Sequence, residues 1–334
     1  MRPGRSRSRA GEPSVPRVAV LVDTSTGWGR GIVLGIVKYA RLHGPWRLWV
    51  EPRGQGEWLR PPSGWAGEGV IARVSSRGMA GQLRSLRCPV VNVSGIEIPG
   101  VTWPRVTNDV EVGGELAGRY CLDRGFRHFA YCGWIRFAHV RRHRRAFSRT
   151  VRRVDAACPA FSLGTRNTGT REWDRQQARL ADWLRTLPKP VAVLIWALQG
   201  LTVLDACAAA GLRVPEEVAI LCGDNDELLY EASAPPLSGI ALPTERIGQE
   251  AAGVLARLMR GRPAPSEAFY VKPTHVVTRQ STDILAVQDA ELASAIRFIR
   301  RHAGQPIRVA DVLREVPLSR RSLEIGRASC RERV

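Results

Sequence analysis

Residues 214–252 read VPEEVAILCGDNDELLYEASAPPLSGIALPTERIGQEAA. The β-branched apolar run Val218–Leu221 predicts a buried strand, which ends on Gly223 and then on Asp224, Asn225 and Asp226 before a second, proline-bounded apolar run. Acidic side chains thereby gather at the carboxyl end of a strand. In open α/β sheets ligands bind at that end, because the connecting loops form a crevice there while the sheet closes the other sides. The stretch predicts an α/β fold with a site for a small polar ligand.

Working outward, the same grammar recurs. RVAVLVD from Arg17 is followed by a Gly-rich turn and then by Ile32–Leu42, with Ile32, Ile36 and Tyr39 at helical spacing. Further strands are expected at Trp46–Val50, Gly69–Ile71, Val90–Val93, Phe129–Cys132 and Val191–Ile195, with helices at Val112–Arg124, Arg142–Val154, Trp173–Leu187 and Thr202–Ala210. Gly125 and Gly211 sit where helix ends are expected. Strands separated by helices argue for doubly wound parallel sheets, and so many of them for two similar lobes rather than one sheet.

After Asp283 the pattern is helical only. Leu292, Ala295, Ile296 and Ile299 share one face of an expected helix Asp289–His302, Gly304 stops it, and Ile307–Val316 predicts a second, short one. In Pro317-Leu318-Ser319-Arg320-Arg321, Ser319 is placed to cap a third helix. Two helices, a tight turn and a helix opening on arginines predict a helix-turn-helix, with Ser319, Arg320 and Arg321 as DNA-facing residues. A helical hairpin with surface arginines is the alternative.

Composition bounds the function. The chain has 334 residues, 44% apolar, enough for a real core. Fifty Lys and Arg against 31 Asp and Glu give +19, which favours an anionic partner such as nucleic acid. Only Lys38, Lys189 and Lys272 are lysines, so the arginine excess also fits a GC-rich coding bias. The seven cysteines are scattered and form no C-x-x-C pair, which predicts neither a disulfide framework nor a zinc site and fits a reducing cytoplasm. No cofactor is expected. No apolar run reaches membrane-spanning length, and residues 1–16 are expected to form a disordered basic arm.

Taken in order, VAVLVDTSTGWGRGIVLGIVKYARLHGPW, EGVIARV, VTNDVEVGGELAGRYCLDRGFRHFAYCG, the 214–252 stretch and AIRFIRRHAGQPIRVADVLREVPLSRRSLE resemble the xylose-operon regulators. In that family a LacI-like, periplasmic-binding-protein-like (type I) sugar sensor precedes an AraC-type DNA-binding domain. The resemblance implies two Rossmann-like lobes across residues 17–283, with lobe 1 from 17–107 and 241–264, lobe 2 from 108–240 and 265–283, and crossovers near Thr107, Ile240 and Ala264. It also implies a sugar effector, a pentose, in the cleft, DNA as the second partner, and homodimerisation through the sensor. Residues 284–324 then correspond to part of the helix-turn-helix region. Residues 325–334, IGRASCRERV, have no counterpart in the family, so the DNA-binding output is expected to be impaired.

The resemblance also nominates site residues. Asp224 takes the family position whose carboxylate accepts sugar hydroxyls, a role suited to two charge-assisted acceptor oxygens; helix capping is the alternative for a loop Asp. Asn225 is expected to hold the turn. Trp28 and Arg30, after the first strand, would supply an apolar face and a polar reach for a sugar ring. Where the family has an Arg, four residues before the aromatic at Phe147, this chain has His143, with Arg142 or Arg144 as substitutes. At Ile195-Trp196-Ala197 relatives carry a polar Asn-Asp type pair, and Trp196 here would either stack on the sugar or narrow the cleft. A calcium loop at Asp224–Glu227 and a nucleotide loop at Gly27–Gly31 both lack required residues. No nucleophile elbow or paired acid and base points to an enzyme; a transporter's solute-binding protein is the competing class.

Overall fold

The computed structural model describes residues 15–54, 59–154, 157–164, 170–265 and 267–283, together with 295, 298, 299, 302, 306 and 308–316. Its described core is two parallel sheets flanked by helices. The first is built from β1 (Arg17–Leu21), β2 (Arg47–Val50), β3 (Gly69–Ala72) and β4 (Val90–Asn92), in the order β2-β1-β3-β4. The second comprises β6 (His128–Gly133), β7 (Ala160–Ser162), β8 (Val191–Ile195), β9 (Val218–Cys222), β10 (Ser238–Ile240) and β12 (Val276–Val277), in the order β12-β10-β9-β8-β6-β7. All pairings are parallel except β12 against β10.

Burial explains why the central strands read as unbroken apolar runs. In β8 and β9 every residue is buried, since helices cover both faces. Alternate residues feed opposite cores: Val193, Ile195, Ile220 and Cys222 pack on one face, and Ala192, Leu194, Ala219 and Leu221 on the other. The first sheet divides in the same way, with Val18, Val20 and Ile71 on one side and Ala19, Leu21 and Val70 on the other.

The helices are α1 (Gly27–His43), α2 (Arg77–Arg84), α3 (Val110–Asp123), α4 (Ala138–Val151), α5 (Thr170–Thr186), α6 (Gly200–Ala210), α7 (Glu227–Glu231) and α8 (Thr244–Met259). Their ends follow local chemistry. Thr26 accepts from Gly29 N to open α1, Ser76 from Met79 N to open α2, and Asp109 from Glu111 N and Val112 N to open α3. Gly211 closes α6 at φ 71°, and Gly125 follows α3 at φ 81°. Both α1 and α4 begin four or five residues earlier than their apolar spacing suggests. The final turn of the expected Arg142–Val154 helix is a 3-10 turn, Arg152–Val154.

The chain passes between lobes three times. It leaves lobe 1 after β5 (Val106–Asn108), returns after β10 to form α8, and finally re-enters lobe 2 at β12. The third passage corrects the expectation of a crossover near Ala264. β11 (Phe269–Val271) pairs with β5, and Val271 is buried among Val18, Ile71 and Leu255 of lobe 1. The crossing therefore lies between Val271 and Val276, and residues 269–271 belong to lobe 1.

Helices α1 and α8 touch backbone to backbone. A Cβ on Gly31 would lie 2.0 Å from Thr244 Oγ1, one on Gly35 2.0 Å from Glu245 O, and one on Gly248 2.2 Å from Ile32 O. Only glycine permits that approach.

Within the expected helix-turn-helix region, Val309–Glu315 is helical, with Arg308 N donating to Asp311 Oδ2 at 2.8 Å, and Val312 and Val316 pack against Ala295 and Phe298. Ser319, Arg320, Arg321, the 325–334 tail and residues 1–14 of the basic arm lie outside the described residues. Among the described residues no helix is long and apolar enough to cross a membrane.

Candidate effector cleft between the lobes

In each lobe the first strand sends its successors to opposite sides: β1 lies between β2 and β3, and β6 between β7 and β8. This reversal leaves a crevice at the carboxyl ends of the strands. The two crevices face each other and form one cleft of about 300 Å³. Lobe 1 contributes Asp23, Thr26 and Trp28 after β1, Arg73 and Ser75 after β3, Ser94–Ile96 after β4, and Thr107 and Asn108 of β5. Lobe 2 contributes Trp134, Arg136, Phe137 and His139 after β6, Trp196–Leu198 after β8, Gly223 and Asp224 after β9, and Leu242 after β10.

Asp224 is where the sequence places it. Tyr230 Oη donates to its Oδ1, and burial, the dominant influence, raises its carboxyl to about 6 against the lowering by Tyr230. On the opposite wall Asp23, 3% exposed, is held by Arg73 at 2.9 Å. Two carboxylates thus face the cleft from different lobes. Asn108 and His139 also line the cleft, and the buried Oδ1 of Asn108 and Nδ1 of His139 have no hydrogen-bond partner among the described residues. Burial and the nearby Arg73 and Arg142 lower His139 to about 4, so its ring is neutral near pH 7. A neutral imidazole offers one donor and one acceptor, so His139 can take either role in a hydrogen bond.

Of the expected site residues, Trp28, Trp196 and Asp224 come together in the cleft; Arg30, His143 and Arg144 do not line it. Arg30 Nη1 donates to Thr24 O and Ser25 O, bracing the loop instead of reaching into the cleft. His143 is buried one layer behind, bonded through Nδ1 to Tyr131 Oη at 2.9 Å, with its ring 5.1 Å from that of Trp196. Burial lowers it to about 3. One helical turn earlier, His139, also buried, lines the cleft from the same stripe and edges Trp196 at 5.2 Å. Arg144, half-buried, acts on the Cys158 thiol and Tyr131 instead. Asn225 accepts from Arg279 Nη1 at 2.9 Å, a turn-holding contact. The helix-capping alternative considered for Asp224 is realised by Asp226, whose Oδ1 accepts from Leu229 N.

Asp226 does more than cap. Its Oδ2 accepts from Gly27 N at 2.6 Å, across the cleft, at the amino end of α1. A second inter-lobe bond joins Arg142 to Glu97 at 2.7 Å. Sequence reasoning also missed Asn108, His139, Phe137 and Arg73, which share no motif and meet only in the fold.

Residues 119–282 match the family model described as a periplasmic binding protein-like domain. The xylose operon regulatory protein of Escherichia coli K12 is 28% identical over 318 residues, covering 92% of this chain and 80% of its own length. Over most of its length the chain is similar to the xylose operon regulators. The regulator of the same title from Haemophilus influenzae is 25% identical, with 92% of this chain and 81% of that one covered. Among solved structures, that of the xylose-binding transcription activator XylR superposes with a TM-score of 0.73 at 25% identity, covering 93% of this chain and 81% of that one. A CelR–cellobiose complex shares the fold, with a TM-score of 0.61 at 19% identity over 79% and 84% of the two chains. These homologues are transcription regulators rather than enzymes, and this chain has their type I, periplasmic-binding-protein-like sensor fold.

Proposed function

We propose that the protein is a sugar-responsive transcription regulator whose effector, a pentose, binds between the two lobes. One observation carries the proposal. The cleft sets two carboxylates from opposite lobes, with the polar side chains of Asn108 and His139, beside the indoles of Trp28 and Trp196. Carboxylates accept hydroxyl donors while aromatic faces cover sugar C–H groups, the division of labour a polyol requires. Asp224 and His139 recognise hydroxyls from lobe 2, Asp23 and Asn108 from lobe 1, so a bound sugar is shared by both walls.

Sharing is what makes the site a sensor. A ligand shifts a conformational equilibrium only through different affinity for the two states, and a sugar touching both walls favours the closed one. The protein acts as a cytoplasmic homodimer, and closure changes how the dimer presents residues 284–324, with Ser319, Arg320 and Arg321, to DNA. It has no enzymatic role in this scheme.

The test is thermal denaturation with a panel of pentoses and hexoses. At a concentration a hundredfold above Kd the effector adds about 2.7 kcal/mol to stability, read as a rise of several degrees, and Asp224→Ala abolishes it. Unchanged melting across the whole panel refutes the proposal.

A further inference from the structure

Lobe 2 carries an acid-free stretch that takes part in the effector cleft only through residues between Trp134 and His139. From Gly125 to Val154 the sequence carries nine arginines and no Asp or Glu. Helix α4 and the 3-10 turn that follows it sort them. His139, Val140, His143, Ala146, Phe147, Thr150 and Val151 are buried, whereas Arg141, Arg145, Arg149, Arg152 and Arg153 are exposed. Positions 141, 145, 149 and 152 follow one another at helical spacing, so the guanidinium groups form a single outward stripe about 17 Å long.

General arginine enrichment does not account for this stripe. On α5, on α8 and in the turn before β9 arginines sit beside acids and pair locally, Arg175 with Glu172, Arg185 with Asp182, Arg213 with Glu217 and Arg246 with Glu250, while exposed arginines without a carboxylate partner among the described residues, such as Arg41, Arg60, Arg260 and Arg262, are spread over separate segments of lobe 1. On α4 only Arg149 has such a partner on this face, Glu115 of α3 at 3.1 Å. Among the described residues Arg141, Arg145, Arg152 and Arg153 have no carboxylate within ion-pair distance. Three uncompensated cations on this stripe, with Arg153 beside them, repel one another unless an anion lies across them.

We propose that the outer face of α4 binds the phosphate backbone of DNA. The guanidinium fork matches phosphate oxygens, and phosphates advance about 3.4 Å along the axis per nucleotide, so the stripe spans about five of them. An acidic protein partner fits less well. Protein interfaces centre on buried apolar side chains, and beside the stripe the exposed large hydrophobic residue is the single Val154 at its end. The contact is independent of base sequence and adds electrostatic affinity wherever the sensor lies along the duplex.

The experiment is fluorescence anisotropy of the full chain with a labelled 30-base-pair duplex of random sequence over a range of salt concentrations. Two variants each remove four charges: Arg141→Gln, Arg145→Gln, Arg152→Gln and Arg153→Gln on α4, and Arg41→Gln, Arg60→Gln, Arg260→Gln and Arg262→Gln, exposed on lobe 1. The α4 variant is expected to bind at least tenfold more weakly at low salt, with the slope of log affinity against log salt reduced by up to about 3.6, about 0.9 per lost phosphate contact; the lobe 1 variant keeps the wild-type slope. Arg145→Glu alone carries the test if the fourfold α4 variant does not fold. The proposal is overturned if the wild type ignores the duplex, if both variants lose affinity equally, if neither does, or if polyglutamate competes as well as DNA at equal charge. Effector-dependent melting is measured separately, so failure of the cleft reading and failure of this one are distinguishable.

Discussion

Asp224 sits in the cleft with its carboxyl raised to about 6, chiefly by burial. Between its ordinary value of 3.8 and about 6 the folded chain holds a proton that the unfolded chain has released, so this group makes stability fall as pH rises through that window. Asp224→Asn should flatten that part of a melting-temperature profile. Effector binding runs the other way. It needs the carboxylate as acceptor, so affinity should fall up to about tenfold per unit as pH drops below 6; a titration at pH 7.5 and 5 checks it. Ala197, on the same wall, is held at φ 51°, a conformation that costs a residue with a Cβ about 1 kcal/mol or more. Ala197→Gly should therefore raise the melting temperature by about 2–4 °C. Sequence made Asp224, Trp28 and Trp196 legible because strand ends are legible. Counting back four from Phe147 finds the right stripe but not its level: His143 lies behind Trp196, and His139 lines the cleft. Arg30 was misplaced because the carbonyls of its own loop capture it.

At the scale of elements, the amino end of α1 and the loop before α7 are bound together. Asp226, 2% exposed, accepts from Gly27 N, caps α7 and lies 3.7 Å from Arg30. A carboxylate at a helix amino terminus gains from the helix dipole as well as from its hydrogen bonds. Asp226→Ala should cost about 1–3 kcal/mol and loosen the lobes even without effector, seen as a larger radius of gyration by small-angle scattering. The exposed Arg142–Glu97 pair bridges the same lobes, yet Glu97→Gln should change stability by less than about 1 kcal/mol, since water screens it. The long apolar strands and most long helices were legible from periodicity. The three-residue strands β5, β7, β10 and β11 were not expected as such, because each is set by its neighbour in the sheet rather than by its own pattern. Helix α8 also fell outside the expected helices, although Ile247, Ala251 and Leu255 share its buried face.

For the whole molecule, the two-lobed architecture follows from the count of strand–helix units, while the exact chain passages do not. The Pro-rich segment before β11 reads as a crossover but is a surface loop of lobe 1, because Val271 completes that lobe's core. The intimate contact of α1 with α8 has a consequence for how the chain is made. Gly31 and Gly35 are translated more than 200 residues before Gly248 arrives to meet them, and the face of the first sheet that α8 covers stays open until then. Lobe 2 has its β6–β10 sheet in one continuous stretch. On the ribosome, the second lobe can thus mature ahead of the first, and the nascent first lobe, with its apolar face uncovered, is the part of the protein most in need of a chaperone.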